Sequence, residues 1–310
     1  MAIIVQKYGG SSLSDAVKII DVAKRIGKAS GKSNQIVVVV SAMGNTTDDL
    51  VQLASSVSKR PEPRELDLLL SSGELVSCTL MAMALRSLGY QAISLTGLQA
   101  GIQTDTSFGR ARISAIDPHR ITKELNSGKI TIVAGFQGFT EDMDVTTLGR
   151  GGSDTTAVAL AAALEAERCE VYTDVEGIYT ADPRIVPEAR KIDHITFEEM
   201  LELAAYGAKM HPRSIELGKV YNVPIYIASS FSEARGTLVN GDIQMMEHRV
   251  KVTGIAADRD VAKITVRGVH DRPGIAASLF EPLSDLGISV DTIVQNASSD
   301  LSTDLSFTVS

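Results

Sequence analysis

The 310-residue chain carries 30 lysines and arginines against 38 aspartates and glutamates, a formal net charge of −8, and no block of like charge along its length. That balance argues against nucleic acid as a partner, and no apolar run approaches the roughly eighteen residues a membrane span needs. The length exceeds what one hydrophobic core serves, so two domains are expected, and an amino terminus that reads as a strand rather than a leader makes the cytoplasm the expected compartment.

The first strand, AIIV at 2–5, runs into KYGGSS, and a helical pattern follows from about Ser14, with Ala16, Ile19, Ile20, Ala23 and Ile26 on one face. Paired glycines between a strand and a helix let backbone N–H groups approach an anion, while the helix start adds roughly half a positive charge and Lys7 a full one. A tight turn that merely opens a helix has the same spelling. The motif is neither a Walker A loop nor the G-x-G-x-x-G dinucleotide fingerprint.

IVVVV at 36–40 is the second strand. Leu66, Leu69, Leu70, Leu75 and Leu80 then mark a helix interrupted by Gly73 and Glu74. The Glu74 carboxylate is either solvated on the outer face or aimed at a ligand amine; periodicity does not choose. Cys78 and Cys169 sit among apolar neighbours with no Cys or His at metal-ligand spacing, and both read as small core residues.

ITIVAGF at 130–136 is a further strand, and TLGRGGSDTTAVALAAAL at 147–164 follows. Here Gly149, Gly151 and Gly152 allow backbone to wrap a ligand, Arg150 offers a planar fork to a carboxylate or phosphate, and Ser153 can cap the helix that begins there. Asp154, in the first turn, also complements the helix dipole, but capping and dipole explain neither the three glycines nor the arginine. CEVYT at 169–173 leads into YTDVEGIYTADPR, a polar loop with Asp174, two tyrosines and Arg184, which is either a ligand loop or a surface loop with an ordinary salt bridge. VPIYIAS at 223–229 is one more buried strand.

Unalternated apolar strands separated by helices spell an α/β class with a parallel sheet. Two glycine-rich loops, each leading from strand to helix, suggest two halves of a polyanion site, with Lys7 and Arg150 supplying charge. Phosphoryl transfer fits, because it asks for positioning and for cations where charge spreads over the moving group. The 232–250 stretch loses periodicity and reads as a domain boundary. Beyond it, AKITVRGV, the turn HDRPG, the helix IAASLFEPLSDLG, then ISVDTIVQN and LSFTVS form most of a small α+β module. The final strand breaks off, which suggests a truncated chain or a fold completed by something else.

The series KYGGSS, SAMGNTTDDL, SSGELVS, VAGFQG, TTLGRGGSDTTA, TDVEGIYTADPR and GAKMHPRS resembles the aspartokinases of the amino acid kinase family, and VHDRPGIAASLFEPLSDLGISVDTIVQN resembles the first of their two regulatory ACT modules. The resemblance implies an α/β catalytic domain at 1–240, a carbamate kinase-like three-layer sandwich around a mostly parallel sheet, and an incomplete ACT module at 250–310. It implies transfer of the γ-phosphoryl of MgATP to the side-chain carboxylate of L-aspartate, the entry to lysine, threonine and methionine synthesis. Mg²⁺ would be carried by the nucleotide phosphates, with no side-chain metal site.

Residue by residue, it implies that Lys7 and the Gly9 and Gly10 amides hold the transferring group, with Asp154 organising Lys7. Arg150 would grip a substrate carboxylate and Glu74 its ammonium, in a pocket lined by Ser41, Thr47, Phe136 and Ser153. Nucleotide contacts would come from Thr173, Asp174, Tyr179, Arg184 and Lys209. Asp271, Arg272, Pro273, Gly274, Gln295 and Asn296 match the effector loop and strand end that sense lysine or threonine, and ACT pairing would make the protein a homo- or hetero-oligomer. Two departures stand out: Lys209 is separated from His211 by Met210 alone where the family has two apolar residues, and the second ACT module is missing, so an effector site would not be complete in one chain. Other kinases of the family, for glutamate, acetylglutamate, carbamate or uridylate, would share the glycine loops, and a catalytically silent amino-acid-sensing subunit is the remaining alternative.

Overall fold

The computed structural model describes residues 1–31, 34–207, 210–241, 252–257, 261–270, 272–286, 288–295 and 302–309. They form two compact units, Met1–Ala256 and Ala257–Ser310.

In the first unit the elements in chain order are β1 (Ala2–Tyr8), a 3-10 turn (Gly10–Leu13), α1 (Ala16–Ala29), β2 (Asn34–Val40), α2 (Thr46–Val57), α3 (Pro63–Ser87), β3 (Ala92–Leu95), β4 (Ile102–Thr104), β5 (Ile113–Ile116), α4 (His119–Asn126), β6 (Ile130–Ala134), β7 (Gln137–Phe139), β8 (Val145–Thr147), α5 (Gly152–Ala163), β9 (Arg168–Thr173), β10 (His194–Thr196), α6 (Phe197–Ala205), α7 (Pro212–Val220), β11 (Ile225–Ser229) and β12 (Thr237–Asn240). The main sheet has the order β10-β12-β11-β9-β1-β2-β6-β3. The six strands from β11 to β3 are mutually parallel, and only β12 reverses against β11, with β10 parallel to it. So β12 lies inside the 232–250 stretch that lacks periodicity: four residues are too few to show one.

Alternation along the strands divides the core in two. Val5, Val37, Val39, Val133, Val171 and Ile225 face α4, α5, α6 and α7, whereas Ile4, Tyr8, Val38, Val40 and Ile132 face α1 and α3. The result is a three-layer sandwich, with both sheet faces covered, as an all-apolar strand requires. Helix α5 is apolar on every side because it packs between β1, β2 and β9 below and α7 beyond, and Gly152 through Ala161 are all buried. Cys78 and Cys169 are core residues, and burial raises both thiols, Cys78 to about 12.

Helix α3 is long and apolar enough to cross a membrane by length and composition, although its sequence holds no uninterrupted apolar run. Half of the apolar window is buried in the unit, and the buried stripe holds Asp67, Ser71, Glu74 and Ser77 beside Leu70, Cys78, Met81 and Leu85. It is a core helix. Of the leucines that announce it, only Leu70 is buried, and Leu80 is exposed. A smaller four-stranded sheet, β5-β4-β7-β8, which has no clear sequence signal, packs its β8 against α3.

The second unit contains β13 (Ala262–His270), α8 (Ile275–Asp285), β14 (Val290–Gln295) and β15 (Ser302–Val309) in an antiparallel sheet of order β13-β15-β14. Leu305 and Phe307 are its buried anchors, with Phe280 of α8 edge-on to Phe307 at 5.2 Å.

Candidate active site

In a parallel sheet, ligands bind beyond the carboxyl ends of strands, where neighbouring strands lead their connections in opposite directions. Strand β1 occupies that position, between β2 and β9. Alternation puts Lys7 on the same face as Val5, towards α5. There its Nζ stands 2.7 Å from Asp154 Oδ1, each side chain 11% exposed, an ion-pair approach without hydrogen-bond alignment. Asp154 is in the first turn of α5, where a carboxylate is favoured by the helix dipole.

The glycine loops are explained partly by packing. A Cβ on Gly10 would stand 2.7 Å from the Ala42 carbonyl oxygen, so the turn after β1 rests directly on the loop after β2. The Gly9 N–H, one of the two amides assigned to the moving group, already donates to the Tyr172 carbonyl at 3.2 Å. Gly10 instead opens the 3-10 turn, where backbone N–H groups have no intrahelical acceptor. Gly149 and Gly151 have φ of 75° and 67°, which glycine adopts without a Cβ penalty. Gly151, not Ser153, is the N-cap of α5, so the expectation that Ser153 caps this helix is corrected: the left-handed turn starts it two residues earlier. Ser153 is buried in the first turn, and a Cβ on Gly135 would meet its Oγ at 2.9 Å. Phe136, with φ of 67°, holds a conformation that costs a bulky residue energy. Its N–H donates to Thr156 Oγ1 at 3.2 Å, and its carbonyl accepts from Leu148 N–H at 2.9 Å.

Glu74 is 2% exposed, on the stripe of α3 that meets the end of β2. Its Oε1 accepts the Ala42 N–H at 3.0 Å, and Ser77 Oγ–H donates to the Ser41 carbonyl at 2.7 Å. Oε2 is buried with no hydrogen-bond partner among the described residues. Burial pushes the carboxyl up to about 7, against the lowering effect of the Ala42 N–H. A buried carboxylate oxygen aimed at nothing is unfavourable unless a donor arrives, which removes the solvated alternative for Glu74.

Contacts thus link Glu74, Ala42, Gly10, Gly9, Lys7, Asp154, Ser153 and Phe136 around the ends of β1, β2 and β6. Ser41 and Thr47 are half-buried beside them in sequence. Arg150 is exposed at the tip of the loop before α5. Thr173 and Asp174 follow β9, next to β1, with Thr173 Oγ1 donating to Asp174 Oδ1 at 3.0 Å. Tyr179 and Arg184 lie farther along that loop, Tyr179 bonded to Glu176 and Arg184 paired in two-point fashion with Asp182. Lys209, Asp271 and Asn296 lie outside the described residues. In the second unit, Arg272 lines a cavity of about 330 Å³ with Arg267, His270, Ile275 and Leu279; Pro273, Gly274 and Gln295 are exposed, and Gly274, with φ of 89°, is the N-cap of α8.

Three further residues of the site region have no role that the sequence alone shows. Asp67 lies seven residues before Glu74 and shares its buried stripe, a spacing that was available in the sequence. His211 packs against Gly151, and Arg213 reaches back to the Leu148 carbonyl. Both stand in the GAKMHPRS segment, but only tertiary contact shows what they hold.

Residues 2–229 match the model of the amino acid kinase family, and residues 264–309 that of the ACT domain. The chain is similar to the aspartokinase of Mycolicibacterium smegmatis, 54% identical over 99% of this chain and 74% of the relative. Among solved structures it is similar to the aspartate kinase from Synechocystis, with TM-score 0.72, 44% identity, and coverage of 99% of this chain and 52% of that one. It is also similar to E. coli aspartokinase III solved in complex with aspartate and ADP, with TM-score 0.81, 30% identity, and coverage of 98% and 78%. With likeness of that degree running along nearly its whole length, the chain belongs to the aspartokinases of the amino acid kinase family.

Proposed function

We propose that the chain transfers the γ-phosphoryl group of MgATP to the side-chain carboxylate of L-aspartate, giving 4-phospho-L-aspartate. The observation that carries this reading is the buried Lys7–Asp154 pair at the end of β1, with the unpartnered Glu74 oxygen at the neighbouring end of β2. Lys7 supplies a positive charge where the moving phosphoryl group accumulates negative charge, and Asp154 holds the ammonium in place. Glu74 Oε2 takes the substrate ammonium, which satisfies both partners. Arg150, with a fork that matches a carboxylate, takes the acid end, and Ser41, Thr47, Phe136 and Ser153 enclose the rest. Of the turn amides, Gly10 fits a phosphate contact better than Gly9, whose N–H is engaged. Thr173, Asp174, Tyr179 and Arg184 would meet the nucleotide.

Among the described residues no group of three or more His, Cys, Asp or Glu side chains could hold a metal ion. Mg²⁺ would enter as part of the nucleotide substrate, the usual habit of an ion that keeps waters and phosphate oxygens. The second unit would bind lysine or threonine near Arg272 and join chains into an oligomer; the lysine complex of E. coli aspartokinase III supports that choice of effector class. A coupled ADP-release assay with aspartate and with glutamate tests the reading. Turnover with aspartate is expected; no turnover at saturating MgATP, or preference for glutamate, overturns it.

A further inference from the structure

The loop that presents Arg150 is gripped from two sides by opposite charges, both spent mainly on backbone. Asp67 of α3 is 1% exposed, and its four hydrogen bonds all go to the loop region. Gly109 N–H donates to both oxygens at 3.0 and 2.9 Å, Thr147 N–H to Oδ2 at 2.7 Å, and Thr147 Oγ1–H to Oδ1 at 2.7 Å. Arg213 of α7 donates from Nη1 to the Leu148 carbonyl and from Nη2 to the Ala111 carbonyl, both at 3.0 Å. The two side chains therefore hold the same two segments, 109–111 and 147–148, which are themselves joined by Ala111 N–H to the Thr147 carbonyl at 2.9 Å. The carboxylate takes the N–H groups and the Thr147 hydroxyl, and the guanidinium takes the carbonyls.

Neither Asp67 nor Arg213 has an ion-pair partner among the described residues. A buried carboxylate satisfied only by neutral donors costs desolvation energy that an uncharged side chain would not, so stability alone is a poor reason for it. Charge-assisted hydrogen bonds are about twice as strong as neutral ones, and here they fix the two residues before Gly149. Gly149 in turn lies against the Gly109 carbonyl, where a Cβ would stand at 3.0 Å. From that anchored backbone Arg150 extends into solvent. A long exposed arginine loses rotamer and loop freedom on binding, so a fixed base lowers the entropy lost when it closes on a carboxylate.

We propose that Asp67 and Arg213 are positioning residues that set aspartate affinity through Arg150. Helix α3 then fixes both ends of the substrate, the ammonium directly with Glu74 and the carboxylate indirectly with Asp67, two turns away on the same stripe. The inference rests on the assignment of Arg150 to the substrate carboxylate.

Steady-state kinetics on a double-mutant cycle tests it. Asp67→Asn is expected to raise the aspartate KM about tenfold, with the KM for MgATP unmoved and the loss in KM rather than kcat. Arg213→Ala is expected to behave in the same way, with Arg213→Lys intermediate because one ammonium cannot span both carbonyls. In an Arg150→Ala background each change is expected to add nothing to the aspartate KM. Equal increments with and without Arg150, or parallel loss of MgATP affinity, overturn the inference. If Asp67→Asn does not fold, the Arg213 variants complete the cycle. Should Arg150→Ala itself leave the aspartate KM unchanged, the assignment of Arg150 fails and takes this inference with it; a raised KM in Arg150→Ala with silent Asp67 and Arg213 variants overturns this inference alone.

Discussion

Lys7 Nζ and Asp154 Oδ1 meet at 2.7 Å between the end of β1 and the first turn of α5, each side chain 11% exposed. Ion pairs that are withdrawn from water add little net stability against an apolar replacement, so the position of this one at the sheet's switch point is the informative fact. Lys7→Ala is expected to lower kcat at least about a hundredfold, the loss of one transition-state cation. Single-turnover kinetics checks it; a change confined to the aspartate KM would move Lys7 to a binding role.

The Glu74 carboxyl, raised by burial to about 7, titrates in the working range. Its ionised form is the one that accepts an ammonium, so protonation removes binding as pH falls. Between about pH 8 and pH 6 its ionised fraction drops roughly tenfold, and kcat/KM for aspartate is expected to follow, because that ratio reports the free enzyme. The kcat profile stays flat there, since bound ammonium keeps the carboxylate ionised. A kcat/KM profile level from pH 8 to pH 6 would refute the assignment.

The same group destabilises the ligand-free protein. With an ordinary value of 4.5 and a folded value of about 7, the folded state binds the extra proton between them, so stability is full below about 4.5 and is lost as pH rises through 7. The gap corresponds to on the order of 3 kcal/mol. Glu74→Gln, which keeps an acceptor for Ala42 N–H and cannot ionise, is expected to melt several degrees above the parent at pH 8 and level with it near pH 4.5. Calorimetry without aspartate checks both arms.

Gly151 couples backbone and packing at the mouth of α5. Its φ is 67°, and an added Cβ would stand 2.2 Å from the His211 Cβ, too close to the chain for a rotamer change to relieve. Gly151→Ala is expected to cost about 1 to 3 kcal/mol and to raise the aspartate KM by displacing Arg150. Chemical denaturation and kinetics on the same variant separate the two effects.

Cys78 and Cys169 are fully enclosed, and burial holds both as thiols, Cys78 up to about 12. Reactivity requires thiolate and access. Neither is expected to react with a thiol-disulfide reagent in native buffer, and both should react at once in denaturant; prompt labelling of the native chain would show that one of them is accessible.

The sequence by itself determined the layer class, the buried strands and the places where loops must turn. These follow from local rules: an unbroken run such as IVVVV needs apolar cover on both faces, and glycines mark the turns at Gly10 and Gly151 whatever lies around them. It also singled out Lys7, Asp154 and Arg150 as charges beside such turns. It left Glu74 undecided, because solvated and buried glutamates have the same helical spacing, and only the packing of α3 against the end of β2 placed one oxygen in a dry, unpartnered position. It gave no sign that Gly9's amide is engaged by Tyr172 or that Arg213 spans two carbonyls. Those depend on which segments, distant in the chain, come within hydrogen-bond distance of one another, and that distance is set by the closing of the whole sandwich rather than by any stretch of residues within it.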